Sequence, residues 1–348
     1  MTLENIILYT PHDLASAIRK RSQETKIGEN IRLIQKADQW EEELKNTQIR
    51  FVLLGIPEDI GVRANFGRGG SHTAWKPALE SFLNQQSNSF LTGNDILVLG
   101  QIRTDDLMKA SEHYTQKNQT DIQALRKLVA DLDARVSATI RKIAEAGKIP
   151  VIVGGGHNNA YGNIKGASLA LERTINVINC DPHTDFRPLE GRHSGNGFSY
   201  AFQEHYLDRY SVFGMHEQYN TEQVLKDFAT NPSQLYYSTY EDMFVRENIT
   251  FSKALARNIS FVKSAPCGVE IDLDAITNVP SSAKTSSGIS PVQARQYVYQ
   301  CGKHLSTIYL HIAEGAPILS HIKADNKTGK LIAYLISDFM KGVYDRAN

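Results

Sequence analysis

The sequence predicts an α/β fold: a parallel sheet with helices packed on both of its faces. Three observations carry this reading. Short apolar runs such as Phe51–Ile56 and Ile149–Val153 are of strand length and lack polar alternation, as strands covered on both sides do. Between such runs lie stretches with apolar residues every three or four positions, the period of an amphipathic helix. The two kinds of segment alternate along the chain, which is the order that βαβ crossovers require.

Taken in order, residues 1–48 read as a helical appendage to a single domain spanning residues 49–348. Thr10-Pro11-His12-Asp13 has the form of a helix start, with Thr10 or Asp13 as cap, and Ile31 to Leu44 is mixed helical and charged. Packing against the main domain, or against a neighbouring subunit of a homo-oligomer, is the expectation for this segment. The core begins at Ile49 to Gly55, an apolar run closed by Pro57, and a second run is Ile96 to Gly100. Ile122, Leu125, Val129, Leu132, Val136, Ile140 and Ile143 mark a long amphipathic helix that ends near Gly147. Pro150 to Val153 reads as a strand, followed by a glycine-rich turn, a helical stretch to Leu171 and a strand from Ile175 to Cys180. Cys267 to Leu273 and Ser306 to Ile312 read as further strands, Pro291 to His304 as a helix, and Leu331 to Tyr344 as a C-terminal helix. There is no internal repeat, low-complexity tract or linker.

Composition narrows the function. The chain of 348 residues balances 38 Lys+Arg against 38 Asp+Glu, and 41% of it is hydrophobic. A neutral chain without basic runs is not expected to bind nucleic acid or a membrane surface. No apolar run is long enough to span a bilayer and no signal segment is evident. Three cysteines, none in a CxxC, make a disulfide framework a poor fit. A soluble, cytoplasmic protein is the expectation.

Functional loops of parallel sheets lie at the carboxyl ends of the strands, and three strand ends here are polar. They are Gly154-Gly155-Gly156-His157-Asn158-Asn159, Asp181-Pro182-His183-Thr184-Asp185, and Asp272-Leu273-Asp274. A glycine-rich turn alone suits a phosphate cradle, but no Gly-Lys-Ser/Thr follows and GxGxxG is not matched. Asp181, His183 and Asp185 alternate, so on an extended segment their side chains share one side. Asp272 and Asp274 lie in an otherwise largely apolar run from Cys267 to Ile276, where two neighbouring carboxylates are costly to bury without a cation. Two imidazoles, four carboxylates and no thiolate favour a hard divalent ion, Mn²⁺ before Zn²⁺. Six donors suit two ions about 3.5–4 Å apart, whose four positive charges the four aspartates would cancel. A bridging hydroxide would then leave the site slightly anionic, suited to a cationic amidinium or guanidinium.

The order GGGH, DxHTD, DxD resembles the signature of the ureohydrolases: arginase, agmatinase and formimidoylglutamase. The resemblance extends from about Gly55 to Pro317 and implies a three-layer α/β/α fold with a mostly parallel sheet of about eight strands. It also implies that His157, Asp181, His183, Asp185, Asp272 and Asp274 hold two Mn²⁺ per chain. Gly156 before His157, the Gly61-Val62-Arg63-Ala64-Asn65-Phe66-Gly67-Arg68 segment and Asp185-Phe186-Arg187 are similar to formimidoylglutamase, an enzyme of histidine degradation. Phe198 aligns where arginase-like members place a histidine. Asn158 stands for a frequent Glu, Pro182 for Ala, Asn196-Gly197 for Thr-Pro, and Glu270 occupies a position usually held by Ser or Thr.

The resemblance implies hydrolysis of a C–N bond, converting N-formimidoyl-L-glutamate and water into L-glutamate and formamide. Asp185 would take the proton of the attacking water, and Glu314, in a variant of a late E-x-N-P, would orient the amidinium. Arg63, Asn65, Arg68, Arg187, Ser194 and Asn196 are candidates for the substrate carboxylates, which arginine binds bidentately. A guanidino-substrate hydrolase such as an arginase is the first alternative; a non-catalytic binding protein of the same fold is the second.

Overall fold

The chain, described by a computed structural model over residues 3–320 and 326–347, contains nine strands among the described residues. They are β1 (Ile6–Leu8), β2 (Phe51–Gly55), β3 (Ile96–Ile102), β4 (Ile149–Val153), β5 (Ile175–Cys180), β6 (Leu207–Met215), β7 (Leu235–Thr239), β8 (Cys267–Asp272) and β9 (Thr307–Ala313). One sheet takes them all, in the order β1-β3-β2-β4-β9-β8-β5-β6-β7. Every pairing is parallel except that of β1, which runs antiparallel to β3 with Ile6 opposite Ile102. The ninth strand, against about eight expected, includes this short edge strand from the first 48 residues.

Alternation along the strands sorts side chains into two cores. On β2, Phe51 and Leu53 join one cluster and Val52 and Leu54 the other. The first cluster packs under Trp75, Phe82, Tyr297 and Phe339; the second packs under Ile122, Val129, Val136 and Ile164. Full burial of such aliphatic side chains contributes roughly 1.5–3 kcal/mol each, so both sheet faces are covered and rigid. The expected long helix spans Gln119–Glu145, with the Asn118 side chain accepting from Asp121 N–H, and buries its apolar stripe against helix Asn159–Leu171. Helix Pro291–His304 starts at a Ser290 capping box and packs against the C-terminal helix Lys327–Ala347. Near the N-terminus, Thr10 caps helix Pro11–Ala17 and shares a capping box with Asp13.

The sheet order sets the site. Strands β4, β9, β8 and β5 are consecutive neighbours at its centre. The polar segments that follow them therefore open along one carboxyl edge. No helix among the described residues is long and apolar enough to cross a membrane.

Candidate metal centre

After β4 the backbone turns through Gly154 and Gly155, both at positive φ (+90° and +71°). A Cβ at Gly155 would fall 2.2 Å from Asn159 Nδ2 and 2.7 Å from Glu58 Oε1, so glycine is required by space as well as by angle. Glu58 holds this turn from the loop after β2. Its Oε1 accepts from Gly156 N–H (2.8 Å) and Asn159 Nδ2 (2.6 Å), and its Oε2 from Ile60 N–H (2.7 Å). Sequence reasoning passed over Glu58; the available signal was an acidic residue set between Ile56-Pro57 and Ile60.

The turn delivers His157, fully buried, to a group of carboxylates. His157, Asp181, Asp185 and Asp272 each place a donor atom within 4.8 Å of the others. His157 Nδ1 lies 3.0 Å from Asp185, 3.1 Å from Asp181 and 3.2 Å from Asp272, yet neither ring nitrogen has a well-aligned hydrogen-bond partner among the described residues. His183 Nδ1 lies 3.3 Å from Asp181 Oδ1. Asp272 Oδ1 accepts from the Asp274 N–H (2.6 Å), and Asp274 accepts from Ala283 N–H (3.0 Å). His183, Asp185, Asp272, Asp274 and Glu314 line one cavity of about 400 Å³. The three strand-end motifs thus converge.

The electrostatics show what this cluster favours. Burial alone would lower His157, but Asp181, Asp185, Asp272 and Glu270 outweigh it and raise it well above the ordinary range. His183 is raised to about 10, with burial opposing and Asp181 prevailing. Burial and the charges of Asp274 and Asp181 push Asp272 well up, and burial with the Asp181 charge pushes Asp185 up. A cluster that draws protons onto imidazoles and carboxylates is one in which divalent ions take the protons' place. The orphaned ring nitrogens of His157 and the oxygen-rich donor set fit a pair of such ions.

Glu314, at the end of β9, accepts from His157 N–H through Oε1 (2.8 Å), while its buried Oε2 has no hydrogen-bond partner among the described residues. Burial and Asp274 push it up to about 8. Both Asp185 and Glu314 hold positive φ (+45° and +63°), a conformation that non-glycine residues keep only where surrounding contacts impose it.

Of the six expected substrate contacts, Asn65, Arg187 and Ser194 line the cavity. Arg187 Nη1 donates to Asn65 Oδ1 (2.9 Å) and Asn65 Nδ2 to Ser194 Oγ (3.2 Å). Arg63 is not among the described lining residues: it pairs with Asp59 (2.9 Å) and donates to Ser111 O (3.0 Å). Asn196 is also engaged elsewhere, accepting from Arg192 and donating to Gly191 O (2.8 Å) in a buried network. Arg68 is exposed at the rim and reaches Ser282 O (3.3 Å). Arg187 is therefore the single arginine or lysine among the described lining residues. Sequence reasoning missed two exposed aromatics at the mouth, Phe66 and Tyr219; the Tyr219 ring stacks on His183 at 5.2 Å. Phe198 is fully buried and meets the His157 ring edge-on at 5.3 Å.

Comparison with known proteins agrees with this geometry. A model of the arginase family matches residues 50–341. The formimidoylglutamase of Streptococcus pyogenes serotype M3 is 26% identical over 301 residues, covering 82% of this chain and 84% of that protein. The formimidoylglutamase of Streptococcus gordonii is 27% identical over 304 residues, with 83% of each covered. Among solved structures, a Trypanosoma cruzi formiminoglutamase with Mn²⁺ superposes with a TM-score of 0.70 at 18% identity, over 93% of this chain and 100% of that one. Bacillus subtilis formimidoylglutamase gives 0.71 at 16% identity, over 94% of both chains. The match to the family model over residues 50–341, together with these curated relatives, shows that the chain belongs to the arginase family of metal-dependent hydrolases acting on C–N bonds.

Proposed function

We propose that this chain hydrolyses a linear amidine bearing carboxylates, converting N-formimidoyl-L-glutamate and water into L-glutamate and formamide. The observation that carries the reading is one cavity that combines a buried acid cluster, a carboxylate oxygen without a partner on Glu314, and Arg187. His157, Asp181, His183, Asp185, Asp272 and Asp274 are the residues that would hold two Mn²⁺. Bound there, the ions would supply Lewis acidity and lower the pKa of water to near neutrality.

The protein's own residues do the rest. Glu314 Oε2 accepts an N–H of the amidinium, while its Oε1 stays tied to the His157 backbone, so the cation is oriented by a carboxylate that cannot swing. Asp185 Oδ takes a proton from the attacking water and passes it to the leaving nitrogen, which departs as the amine of glutamate. Arg187 and Asn65 meet a substrate carboxylate, and the Ser194 hydroxyl adds a further donor. Phe198 closes one side of His157 with apolar surface and keeps water off that flank.

A guanidino acid with a single carboxylate is the second reading. Its support is that Arg63 is engaged with Asp59 and Ser111, which leaves Arg187 as the lone arginine of the wall. A substrate panel with manganese-loaded protein separates the two. Formamide from formimidoylglutamate is expected; urea from a guanidino acid, without formamide, would overturn the first reading.

A further inference from the structure

Behind the candidate metal ligands lies a second buried group made of His157, Glu270 and His311. All three are fully enclosed. Val269 and Ile271 join one core, so alternation along β8 turns Glu270 to the opposite face, where His311 is its paired neighbour on β9. Glu270 Oε2 lies 2.6 Å from His311 Nδ1 and 3.4 Å from His157 Nε2. His311 Nε2 lies 3.2 Å from Gly154 O, a pure acceptor, so that nitrogen carries a proton.

The two ring nitrogens of His157 therefore face different carboxylates. Nδ1 looks toward Asp181, Asp185 and Asp272 at 3.0–3.2 Å, and Nε2 looks toward Glu270. An imidazole ligates a metal only through an unprotonated nitrogen, and the partner of the other nitrogen decides which one that is. With divalent cations held by those three aspartates, Glu270 at 3.4 Å would be the carboxylate left to draw the proton to Nε2, which frees Nδ1.

We propose that Glu270 is a positioning residue that fixes the tautomer and ring orientation of His157 for metal ligation, with His311 holding Glu270 in place. This rests on the metal-centre reading above. A carboxylate buried in an apolar strand needs a partner, and His311 supplies one from the adjacent strand while being anchored itself by the Gly154 carbonyl. The two residues act on the metal only through His157.

The test measures Mn²⁺ affinity by calorimetric titration of the parent, Glu270→Gln and Glu270→Leu, with unfolding midpoints recorded in chelator. Glu270→Leu is expected to bind one ion about 10–100-fold more weakly, the usual loss when such an outer partner is removed. Glu270→Gln keeps an acceptor for Nε2–H and should fall between Leu and the parent. Wild-type affinity for both ions in both variants would overturn the proposal and leave Glu270 and His311 a mere buried pair. Should the Leu variant fail to fold, long-range ¹H–¹⁵N spectra of the Zn²⁺-loaded parent decide. A proton on His157 Nε2 is expected, and one on Nδ1 overturns the proposal. A parent that binds two ions yet releases no formamide sinks the substrate reading alone, whereas a parent that binds no metal sinks both.

Discussion

Replacing Glu58 by Gln exchanges one oxygen for an NH₂ group and leaves the shape of the side chain unchanged. In the folded protein every group that meets the Glu58 carboxyl is a donor: Ile60 N–H at 2.7 Å, Gly61 N–H at 3.4 Å, Gly156 N–H at 2.8 Å and Asn159 Nδ2 at 2.6 Å. Whichever way the new amide turns, its NH₂ opposes at least one short backbone N–H, that of Ile60 or that of Gly156. A buried donor left without an acceptor costs about 1–3 kcal/mol, and here both the backbone N–H and the amide lose theirs. The expected loss is thus about 2–4 kcal/mol, large against the marginal stability of a typical domain. Urea unfolding in chelator reads it as a lower midpoint at unchanged slope. Glu145→Gln, which removes the exposed partner of Arg141, serves as the control and should change stability by less than about 0.5 kcal/mol. If Glu58→Gln is as stable as that control, Glu58 does not hold the turn and the account of how His157 is delivered fails.

Other outcomes follow from the same geometry. Arg187→Met should lower kcat/KM for a dicarboxylate amidine by about one to two powers of ten, the loss of a charge-assisted hydrogen bond. Arg63→Met should leave kcat/KM within a few-fold and lower the unfolding midpoint instead, and the reverse pattern would restore Arg63 to the substrate site. Replacing His183 or Asp272 by Ala should remove bound manganese and turnover together, read by metal analysis and formamide release; full metal content with unchanged turnover contradicts the ligand assignment. Burial, with the charges of Arg126, Arg187 and Arg192, lowers buried His193 to about 3. The unfolded chain, with a histidine pKa of about 6.5, binds a proton that the folded one refuses. That stability is complete above pH ~6.5 and is lost as pH falls toward about 3. His193→Asn should flatten the dependence of the urea midpoint on pH over this window, and an unaltered slope would refute the assignment.

The parts of the fold legible in the sequence are those where burial is symmetrical. Strands β2, β3, β4, β5, β8 and β9 are covered on both faces and read as largely apolar runs. Strand β7 lies at one edge, and its Leu235-Tyr236-Tyr237-Ser238-Thr239 is half exposed in the middle, so no run announces it. β6 begins with Leu207-Asp208-Arg209 before turning apolar, and β1 is three residues long at the other edge. At the site, the metal-ligand candidates were legible because each motif is local: alternation after one strand brings its members together. What was not legible depends on which partners the fold brings to a side chain. Arg63 is a plausible carboxylate binder until Asp59 and Ser111 are seen to occupy it, and Glu58 is an ordinary acid until Gly156, 98 residues on, donates to it.

The position of β9 has a consequence for how the chain acquires its site during synthesis. This strand, near the C-terminus, is inserted between β4 and β8 and pairs with both. Without it the strand order divides into two halves, β1-β3-β2-β4 and β8-β5-β6-β7, each with an unpaired inner edge. His157 belongs to the first half, while the aspartates and His183 belong to the second. A nascent chain ending before Thr307 therefore carries all six side chains of the candidate centre but lacks the strand that joins its two halves. Insertion of this strand between β4 and β8 is the step that joins the two parts of the centre, so its assembly waits until residues 307–313 have been made.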